Sequence, residues 1–304
     1  MDTFPNLCLG TAQFGLDYGL TNRNGKVEST NVEEILNFAF YNEIKLLDTA
    51  QAYGEAEKII GKNLIKNNHF KVISKINTEM NYENNTEFLE ILENNLKSSL
   101  KKLSSTKLYG LLIHNVGSLK NSKYRLIKEW LISLKDRKIV KNIGISIYEK
   151  NDLDKVDLDK LDIVQLPLSI YDQRLLNDGT IKSLKKSGFK IHARSIFLQG
   201  LVLQSYITWP DFLSTNFKSH HKSFEQDINN NNLTKLKASL SFFKTCKDID
   251  VILVGITSKK ELEEIQNALE EIKNESIECP IAYKKYSWDK IYDIDPRKWI
   301  KRGS

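Results

Sequence analysis

The chain has 304 residues, of which 40% are hydrophobic and 28% are charged, and its formal net charge is +6. This composition excludes a disordered chain and is sufficient for one large α/β domain. The positive charge is spread along the chain and forms no patch or motif of the kind that binds nucleic acid, so we expect no nucleic-acid partner.

Three cysteines, Cys8, Cys246 and Cys279, lie at no metal-binding spacing. This argues against a disulfide scaffold or a zinc site, so we expect no metal and a reducing compartment. The first residues, MDTFPNLCLG, contain no long apolar run, and no segment reaches the length of a membrane span. We therefore expect a cytoplasmic protein without a membrane partner.

Short β-type runs alternate with longer helical patterns along the chain. After a first strand in LCLG, strands are predicted at 44–50, 71–76, 108–114, 141–146, 162–169, 190–196 and 250–256. Helices are predicted at 55–66, 86–103, 124–137, within 149–160, and at 180–188, 233–246 and 258–272. The long stretch between the predicted strand at 190–196 and the predicted helix at 233–246, which holds NNNN at 229–232, is predicted to be an irregular surface loop.

Strict alternation of strand and helix predicts a parallel sheet. Eight such units favour an α/β fold of one domain, a closed (β/α)8 TIM barrel formed by residues 1–280. A doubly wound open sheet is the alternative, but it would more often show GxGxxG after its first strand, and LGTAQFG is not that motif. Residues 281–304 are predicted to be an extension that packs on the barrel or trails from it.

Polar side chains follow the predicted strands at the end where such a barrel carries its active site. They are Asp48, Tyr53, Lys75, His114, Ser146, Gln165, Arg194 and Ser195, together with Thr257 and Ser258, which follow Gly255 at the end of the eighth strand. Each of them alone is better explained by packing. An acid, a phenol, an amine and an imidazole after strands two to four are harder to explain in that way, because buried charges are costly unless they are paired.

These four groups together suit proton donation to a carbonyl oxygen that is becoming an alkoxide. The phenol of a free tyrosine, with a pKa of about 10, is a weak acid near neutrality. We expect the Lys75 ammonium to lower the pKa of Tyr53, and Asp48 to keep Lys75 charged and in place. A neutral His114 would orient the carbonyl.

The segment VGITSKKELEEI places hydroxyl residues and two lysines, Lys259 and Lys260, at the start of a predicted helix. Backbone N–H groups and the helix dipole favour phosphate at such a position. Ser258 followed by Glu261 also fits an ordinary capping box, and this segment alone favours that simpler interpretation.

The chain resembles the aldo-keto reductase superfamily, in particular its bacterial members. The matching segments are LGTAQFG, DTAQAYGEAEKIIG, VISKI, LLIHN, KNIGIS, IVQLPLS, RSIFLQGLV and ILVGITSKKELEEI. They occur in family order and extend to about residue 272. The resemblance implies a (β/α)8 barrel that reduces a small-molecule carbonyl with a nicotinamide cofactor, usually NADPH, with NADH as the alternative.

The family tetrad maps onto Asp48, Tyr53, Lys75 and His114, with Tyr53 as the general acid. The positions that match cofactor-binding residues of the family are Ser146 and Gln165 for the nicotinamide carboxamide, Gly255, Thr257 and Ser258 for the adenosine phosphate, and Glu264 for adenine. Arg194 and Ser195 in the seventh predicted strand, and Lys259, are also expected to bind the cofactor.

Three positions depart from the family pattern. Ile147 stands where many members have Asn, and Arg194 stands where many stack a tyrosine on the nicotinamide, although a planar guanidinium can also stack. Glu261 stands where some members have an arginine that binds the 2′-phosphate, which weakens the case for NADPH. Because Lys259 and Lys260 are close, we still expect NADPH.

The substrate is expected to be an aldehyde, a ketone or a sugar carbonyl. A sugar is included because the long segment AQFGLDYGLTNRNGKVE resembles a subgroup of reductases associated with surface-sugar metabolism. Two alternatives remain, a cofactor-binding regulatory or sensing protein with little turnover and a barrel lyase or isomerase in which Lys75 forms a Schiff base. The sequence leaves the oligomeric state open.

Overall fold

A computed structural model describes residues 4–64, 69–78, 80, 82, 84–117, 119, 121–274 and 281–299. Parallel strands β1 to β8 close into a barrel in sequence order. Their bounds are β1 Asn6–Gly10, β2 Leu46–Asp48, β3 Lys71–Ile76, β4 Leu108–Ile113, β5 Val140–Ser146, β6 Ile163–Pro167, β7 Lys190–Arg194 and β8 Val251–Gly255. The predicted (β/α)8 fold is confirmed.

Helices connect the strands around the outside of the barrel. The α-helices are α1 Ala12–Gly15, α2 Ser29–Tyr41, α3 Ala56–Leu64, α4 Asn85–Lys102, α5 Asn121–Asp136, α6 Arg174–Asn177, α7 Thr180–Lys186, α8 Thr215–Asn230, α9 Lys235–Ser241, α10 Lys259–Asn274 and α11 Ile291–Ile294. Short 3-10 helices span Lys150–Lys155, Leu201–Leu203, Tyr206–Thr208, Phe242–Thr245, Tyr283–Tyr286 and Pro296–Lys298. In the part of the chain that the structure describes, no helix is long and apolar enough to cross a membrane.

The prediction of an irregular stretch before residue 233 was wrong, because α8 occupies Thr215–Asn230 and its last turn contains the first two residues of NNNN. The Ser214 hydroxyl accepts a hydrogen bond from the Phe217 N–H at 3.2 Å and caps the helix. The buried face consists of residues at helical spacing, namely Phe217, His221, Phe224 and Ile228. Two histidines and several Asn and Ser residues dilute this apolar pattern in the sequence.

Helix α2 was also missed, although its buried residues have the spacing of an amphipathic helix. They are Val32, Ile35, Leu36 and Ala39. The predicted helix at 55–66 is present as α3, and its last two predicted residues lie outside the described residues. The short helix predicted within 149–160 is the 3-10 helix Lys150–Lys155.

The barrel lumen is filled with side chains, as is usual for this fold. Two small apolar clusters occupy it, one formed by Cys8, Val251 and Leu253 and the other by Ile73, Leu112 and Ile163. Side chains alternate along a strand, so Lys75 and Gln165, two residues beyond Ile73 and Ile163, face the same interior at its carboxyl end. The apolar layer therefore forms the floor of a polar site.

The described part of the predicted extension, residues 281–299, packs against the barrel. The Trp288 N–H donates to the Tyr171 carbonyl at 2.8 Å. The Asp293 carboxylate accepts hydrogen bonds from the Ser214 N–H at 2.9 Å and from its hydroxyl at 2.8 Å, which joins the extension to the start of α8. The predicted boundary at residue 280 and the last five residues of the chain lie outside the described residues.

Candidate active site

Asp48 and Lys75 form a buried ion pair at the carboxyl ends of β2 and β3. The Asp48 side chain is 3% exposed and the Lys75 side chain 2% exposed, and their carboxylate and ammonium groups are in direct contact. Lys75 also donates to the Thr49 carbonyl at 3.1 Å, and the second Asp48 oxygen accepts from Gln165 Nε2 at 2.8 Å. Pairing and hydrogen bonding of this kind make buried charges tolerable.

Tyr53 is held over this pair by a close approach of two loops. A side chain at Gly15 would bring a Cβ within 1.8 Å of the Tyr53 carbonyl oxygen, so this contact requires glycine. Gly54 has a φ of +54°, a left-handed conformation that glycine adopts without strain. The loops after β1 and β2 can therefore pack together and direct the phenol of Tyr53 towards the ion pair.

Lys75 Nζ lies 5.1 Å from the centre of the Tyr53 ring. His114 follows β4, and its ring centre lies 5.8 Å from that of Tyr53 at an edge-to-face angle of 82°. The structure thus brings the four residues of the predicted tetrad, Asp48, Tyr53, Lys75 and His114, into one cluster.

Burial and the neighbouring charges together decide which group of the tetrad can donate a proton. Burial raises the pKa of Tyr53, although the Lys75 ammonium acts to lower it. We expected Lys75 to lower the pKa of Tyr53 overall; its contribution has that sign, but burial outweighs it. The phenol is therefore protonated at neutral pH.

Lys75 and His114 have opposite protonation states in this cluster. Burial disfavours the Lys75 ammonium, but Asp48 and Tyr53 outweigh burial and raise its pKa. A protonated amine is not a nucleophile, which argues against the Schiff-base alternative. Burial, helped by the charges of Lys75 and Arg194, lowers the pKa of His114 to about 3, so the imidazole is neutral and available for hydrogen bonding to a carbonyl.

A cleft with a volume of about 860 Å³ opens above the tetrad. Of the residues predicted to bind a cofactor, seven line it, namely Ser146, Gln165, Arg194, Ser195, Gly255, Thr257 and Glu264. Ser258 and Lys259 are not among its lining residues. Lys259 lies 3.2 Å from the Glu263 carboxylate on the same helix and forms an exposed ion pair with it.

Two amide oxygens in the cleft are buried and have no hydrogen-bond partner among the described residues, Gln165 Oε1 and Gln13 Oε1. Buried polar atoms are normally hydrogen-bonded, so each of these oxygens is an acceptor for a donor group of a ligand. Gln13, on α1, was not singled out in the sequence. Its Nε2 lies 2.6 Å from the place that a Cβ on Gly255 would take, so a larger residue at the end of β8 would displace the end of this side chain.

At the start of α10, backbone N–H groups already donate hydrogen bonds to nearby side chains. The Ser258 hydroxyl accepts from the Glu261 N–H at 3.2 Å, as an N-cap does. The Glu261 carboxylate folds back and accepts from the Thr257 N–H at 2.6 Å and from the Thr257 hydroxyl at 2.9 Å. A carboxylate therefore occupies donors that could otherwise bind a phosphate.

The loop after β7 is a second feature that the sequence did not reveal. Ser195, Leu198 and Gln199 have positive φ values of 60°, 49° and 54°. Non-glycine residues in this conformation store strain, which often occurs at functional sites. The loop contacts the long segment after β1, since Gln199 Oε1 accepts from the Leu20 N–H at 3.1 Å and the Thr21 hydroxyl donates to the Gln199 carbonyl at 3.2 Å.

The structure is a closed eight-stranded parallel barrel with Asp48, Tyr53, Lys75 and His114 clustered at the carboxyl ends of its strands. A sequence profile of the aldo/keto reductase family matches residues 6–279, and the chain belongs to this family. The expected membership is therefore confirmed. The family and the fold support an oxidoreductase that acts on carbonyl substrates.

Solved structures show the same fold. One is a putative aldo-keto reductase from Pseudomonas aeruginosa, 18% identical, with a TM-score of 0.64 over 89% of this chain and 92% of that chain. Another is an aldo-keto reductase from Bacillus halodurans in its holo form, 15% identical, with a TM-score of 0.70 over 92% of this chain and 89% of that chain. No curated protein sequence matches the chain.

Proposed function

We propose that the protein is an NAD(P)H-dependent oxidoreductase that reduces an aldehyde, ketone or sugar carbonyl, with Tyr53 as the general acid. The observation that carries the proposal is the tetrad itself. A protonated phenol and a neutral imidazole face one cleft above a buried ammonium that is held by a carboxylate.

A bound nicotinamide cofactor would supply a hydride to the carbonyl carbon. Tyr53 donates its proton to the carbonyl oxygen, because the alkoxide that forms there is a stronger base than the phenolate left behind. Lys75 stabilises that phenolate through its ammonium charge, and Asp48 holds Lys75 in place. The neutral His114 hydrogen-bonds the carbonyl oxygen and orients it.

The residues present fit a nicotinamide carboxamide. Gln165 Nε2 is engaged by Asp48, which fixes the amide and leaves Gln165 Oε1 as the free acceptor. The amide N–H group of a carboxamide is the donor that this acceptor requires. Ser146 pairs with Gln165 in the register of β5 and β6 and adds a hydroxyl next to it.

The contacts at the start of α10 favour NADH over the NADPH that we expected from the sequence. Glu261 already occupies the N–H and hydroxyl of Thr257, and its negative charge would repel a 2′-phosphate. A ribose diol can instead donate hydrogen bonds to a carboxylate. Lys259 lies against Glu263 rather than in the cleft.

A polar substrate, such as a sugar, fits the outer wall of the cleft. This wall is rich in hydroxyl, amide and guanidinium groups, contributed by Tyr18, Asn22, Arg23, Asn24, Gln199 and Gln204. Such groups hydrogen-bond hydroxylated compounds, whereas an apolar aldehyde would leave them without partners.

The test is a Tyr53→Phe variant, with Tyr109→Phe as the matched control at the opposite end of the barrel. Cofactor binding is measured by quenching of tryptophan fluorescence, and turnover by oxidation of NADH or NADPH with benzaldehyde, cyclohexanone and xylose. We expect Tyr53→Phe to bind cofactor normally and to lose reduction by roughly 10²–10⁴-fold.

The outcomes distinguish a carbonyl reductase from a cofactor-binding regulatory or sensing protein. Equal reduction by Tyr53→Phe and wild type would show that Tyr53 is not the acid. Saturable cofactor binding by wild type without turnover of any of these carbonyls would favour the regulatory or sensing protein. Failure of the folded wild type to bind either cofactor would overturn the redox proposal.

A further inference from the structure

Arg194 reaches across the end of a neighbouring strand. It is the last residue of β7, yet its Nη2 donates to the carbonyl oxygen of Ile147, directly after β5, at 2.9 Å. Strand β6 lies between β5 and β7 in the barrel. The guanidinium therefore spans the carboxyl end of β6, the strand that carries Gln165, whose Oε1 has no hydrogen-bond partner in the described part of the chain.

Tyr148 fixes the guanidinium in this position. The Cζ atom of Arg194 lies 3.9 Å from the centre of the Tyr148 ring. The Cζ atom of Arg297, from the C-terminal extension, lies 3.5 Å from the same ring centre. Two guanidinium groups at such distances cannot share one face without overlap, so they take opposite faces of the ring.

Among the described residues, a carboxylate neutralises only one of these two guanidinium groups. Arg297 donates to Asp295 through Nε at 3.0 Å and through Nη2 at 2.6 Å, and Asp295 is 2% exposed. Arg194 has no carboxylate partner among the residues that the structure describes. In the cleft, the charge of Lys75 is balanced by Asp48. Arg194 thus adds an unbalanced positive charge beside Gln165.

We propose that Arg194 makes the site bind the reduced, uncharged nicotinamide more tightly than the oxidised, cationic one, and that Tyr148 and Arg297 are positioning residues for it. This inference rests on the proposed function, because it assumes a nicotinamide cofactor whose carboxamide lies at Gln165. It goes beyond that function because it assigns the relative affinity for the oxidised and reduced cofactor to the charge of Arg194, which the C-terminal extension helps to position.

The physical reason is electrostatic. The oxidised nicotinamide ring carries a positive charge that the reduced ring lacks, so a fixed cation nearby penalises only the oxidised form. The charge of Arg194 already acts on the tetrad, because it helps to lower the pKa of His114 and opposes the larger effect of burial, which raises the pKa of Tyr53. Preferential release of the oxidised form would also clear the site after each reduction.

The experiment measures the dissociation constants of NADH, NAD⁺, NADPH and NADP⁺ by calorimetry and compares the ratio of oxidised to reduced form. In Arg194→Gln we expect this ratio to fall about tenfold, mainly because the oxidised form binds more tightly. Arg194→Lys keeps the charge and is expected to keep the ratio within about threefold of wild type.

Arg137→Gln is the matched control, because it removes the same charge from an exposed arginine paired with Glu93 on the outer helices. We expect its ratio to equal that of wild type. The ratio of wild type should also be constant between about pH 6 and pH 9, since arginine stays protonated throughout. A ratio that changed with pH over this range would assign the effect to another group and overturn the proposal.

The role of Tyr148 is tested with two variants. Tyr148→Leu removes the ring between the two guanidinium groups and is expected to lower the ratio roughly threefold, whereas Tyr148→Phe keeps the ring and is expected to restore it. A merely structural role would weaken binding of both redox forms equally and leave the ratio unchanged.

Two negative outcomes are distinguishable. Cofactor binding with the same ratio in wild type and Arg194→Gln would overturn this inference and leave the proposed function standing. Absence of binding of all four cofactors to the folded wild type would overturn the proposed function and this inference with it.

Discussion

The charged groups of the tetrad are buried and joined to residues of other strands, whereas those at the start of α10 are exposed and contact residues four positions away in the chain. Asp48 and Lys75 are 2% and 1% exposed and belong to β2 and β3. Glu261 contacts Thr257, four residues away, and Lys259 contacts Glu263. One end of the cleft is therefore fixed by the barrel, and the other by local helix contacts.

Because of this difference, we expect substitutions in the tetrad to change the stability of the fold and substitutions at the start of α10 to change ligand preference. A buried charge that loses its partner has no water to replace it, so a change in the tetrad affects folding as well as chemistry. An exposed pair is hydrated and is worth little to stability. Substitutions at the start of α10 can consequently change ligand preference while the fold remains intact.

The largest effect is expected for Asp48→Asn, which leaves the Lys75 ammonium buried without an anion. We expect a loss of about 3–5 kcal/mol in the free energy of unfolding, measured by urea denaturation. Asp211→Asn is the control, because Asp211 is a fully exposed partner of Lys218 and its loss should cost less than about 1 kcal/mol. Equal losses in the two variants would contradict the comparison.

A double variant sharpens this prediction. Lys75→Met removes the unpaired charge while keeping much of the side-chain volume, so Asp48→Asn combined with Lys75→Met should recover part of the stability lost by Asp48→Asn alone. The recovered stability isolates the cost of the orphaned ammonium from the loss of other contacts. If the double variant were less stable than Asp48→Asn, the unpaired Lys75 ammonium would not be the cause of the lost stability.

The tetrad could be predicted because its residues follow strands that are recognisable one by one. Each strand ends within a few residues of Asp48, Lys75 or His114, and the barrel brings these ends together. The cap at Ser258 was readable for the opposite reason, since an N-cap is a local pattern at the start of one helix.

The supporting contacts of the cleft were not predictable because they join distant parts of the chain. Nothing in the sequence around Tyr148 indicates that Arg194 and Arg297 lie on its ring. The need for glycine at Gly15 appears only when the Tyr53 carbonyl approaches it. The sign of the pKa shift of Tyr53 also depends on burial, which competes with Lys75 and cannot be weighed from residue types alone.

The second prediction concerns His192, which lies in β7 beneath Arg194 and is 1% exposed. Burial is the main cause that lowers the pKa of His192 to about 4. In the unfolded chain a histidine has a pKa of about 6.5, so between these values the unfolded state binds the proton more tightly. The stability contributed by the neutral imidazole is therefore present above about pH 6.5 and is lost as the pH falls towards 4.

We expect His192→Gln to flatten this acid dependence by on the order of 2 kcal/mol between neutral pH and pH 4, in urea denaturation at a series of pH values. His221, whose pKa is likewise lowered to about 4, mainly by burial, remains in the variant and should preserve part of the slope. An unchanged dependence on pH in His192→Gln would show that His192 does not contribute.

The smallest effect in free energy is expected at the start of α10, where Glu261→Gln should change cofactor preference rather than stability. Removal of the negative charge beside Thr257 is expected to improve the affinity for NADPH relative to NADH by about tenfold, or about 1.4 kcal/mol, in the same fluorescence titration. Glu270→Gln removes an equal charge from the far end of α10 and should leave the preference unchanged. If Glu261→Gln behaved like this control, the Glu261 carboxylate would not determine the preference between NADPH and NADH. Lys259 and Lys260 would then be the remaining candidates, although Lys259 contacts Glu263.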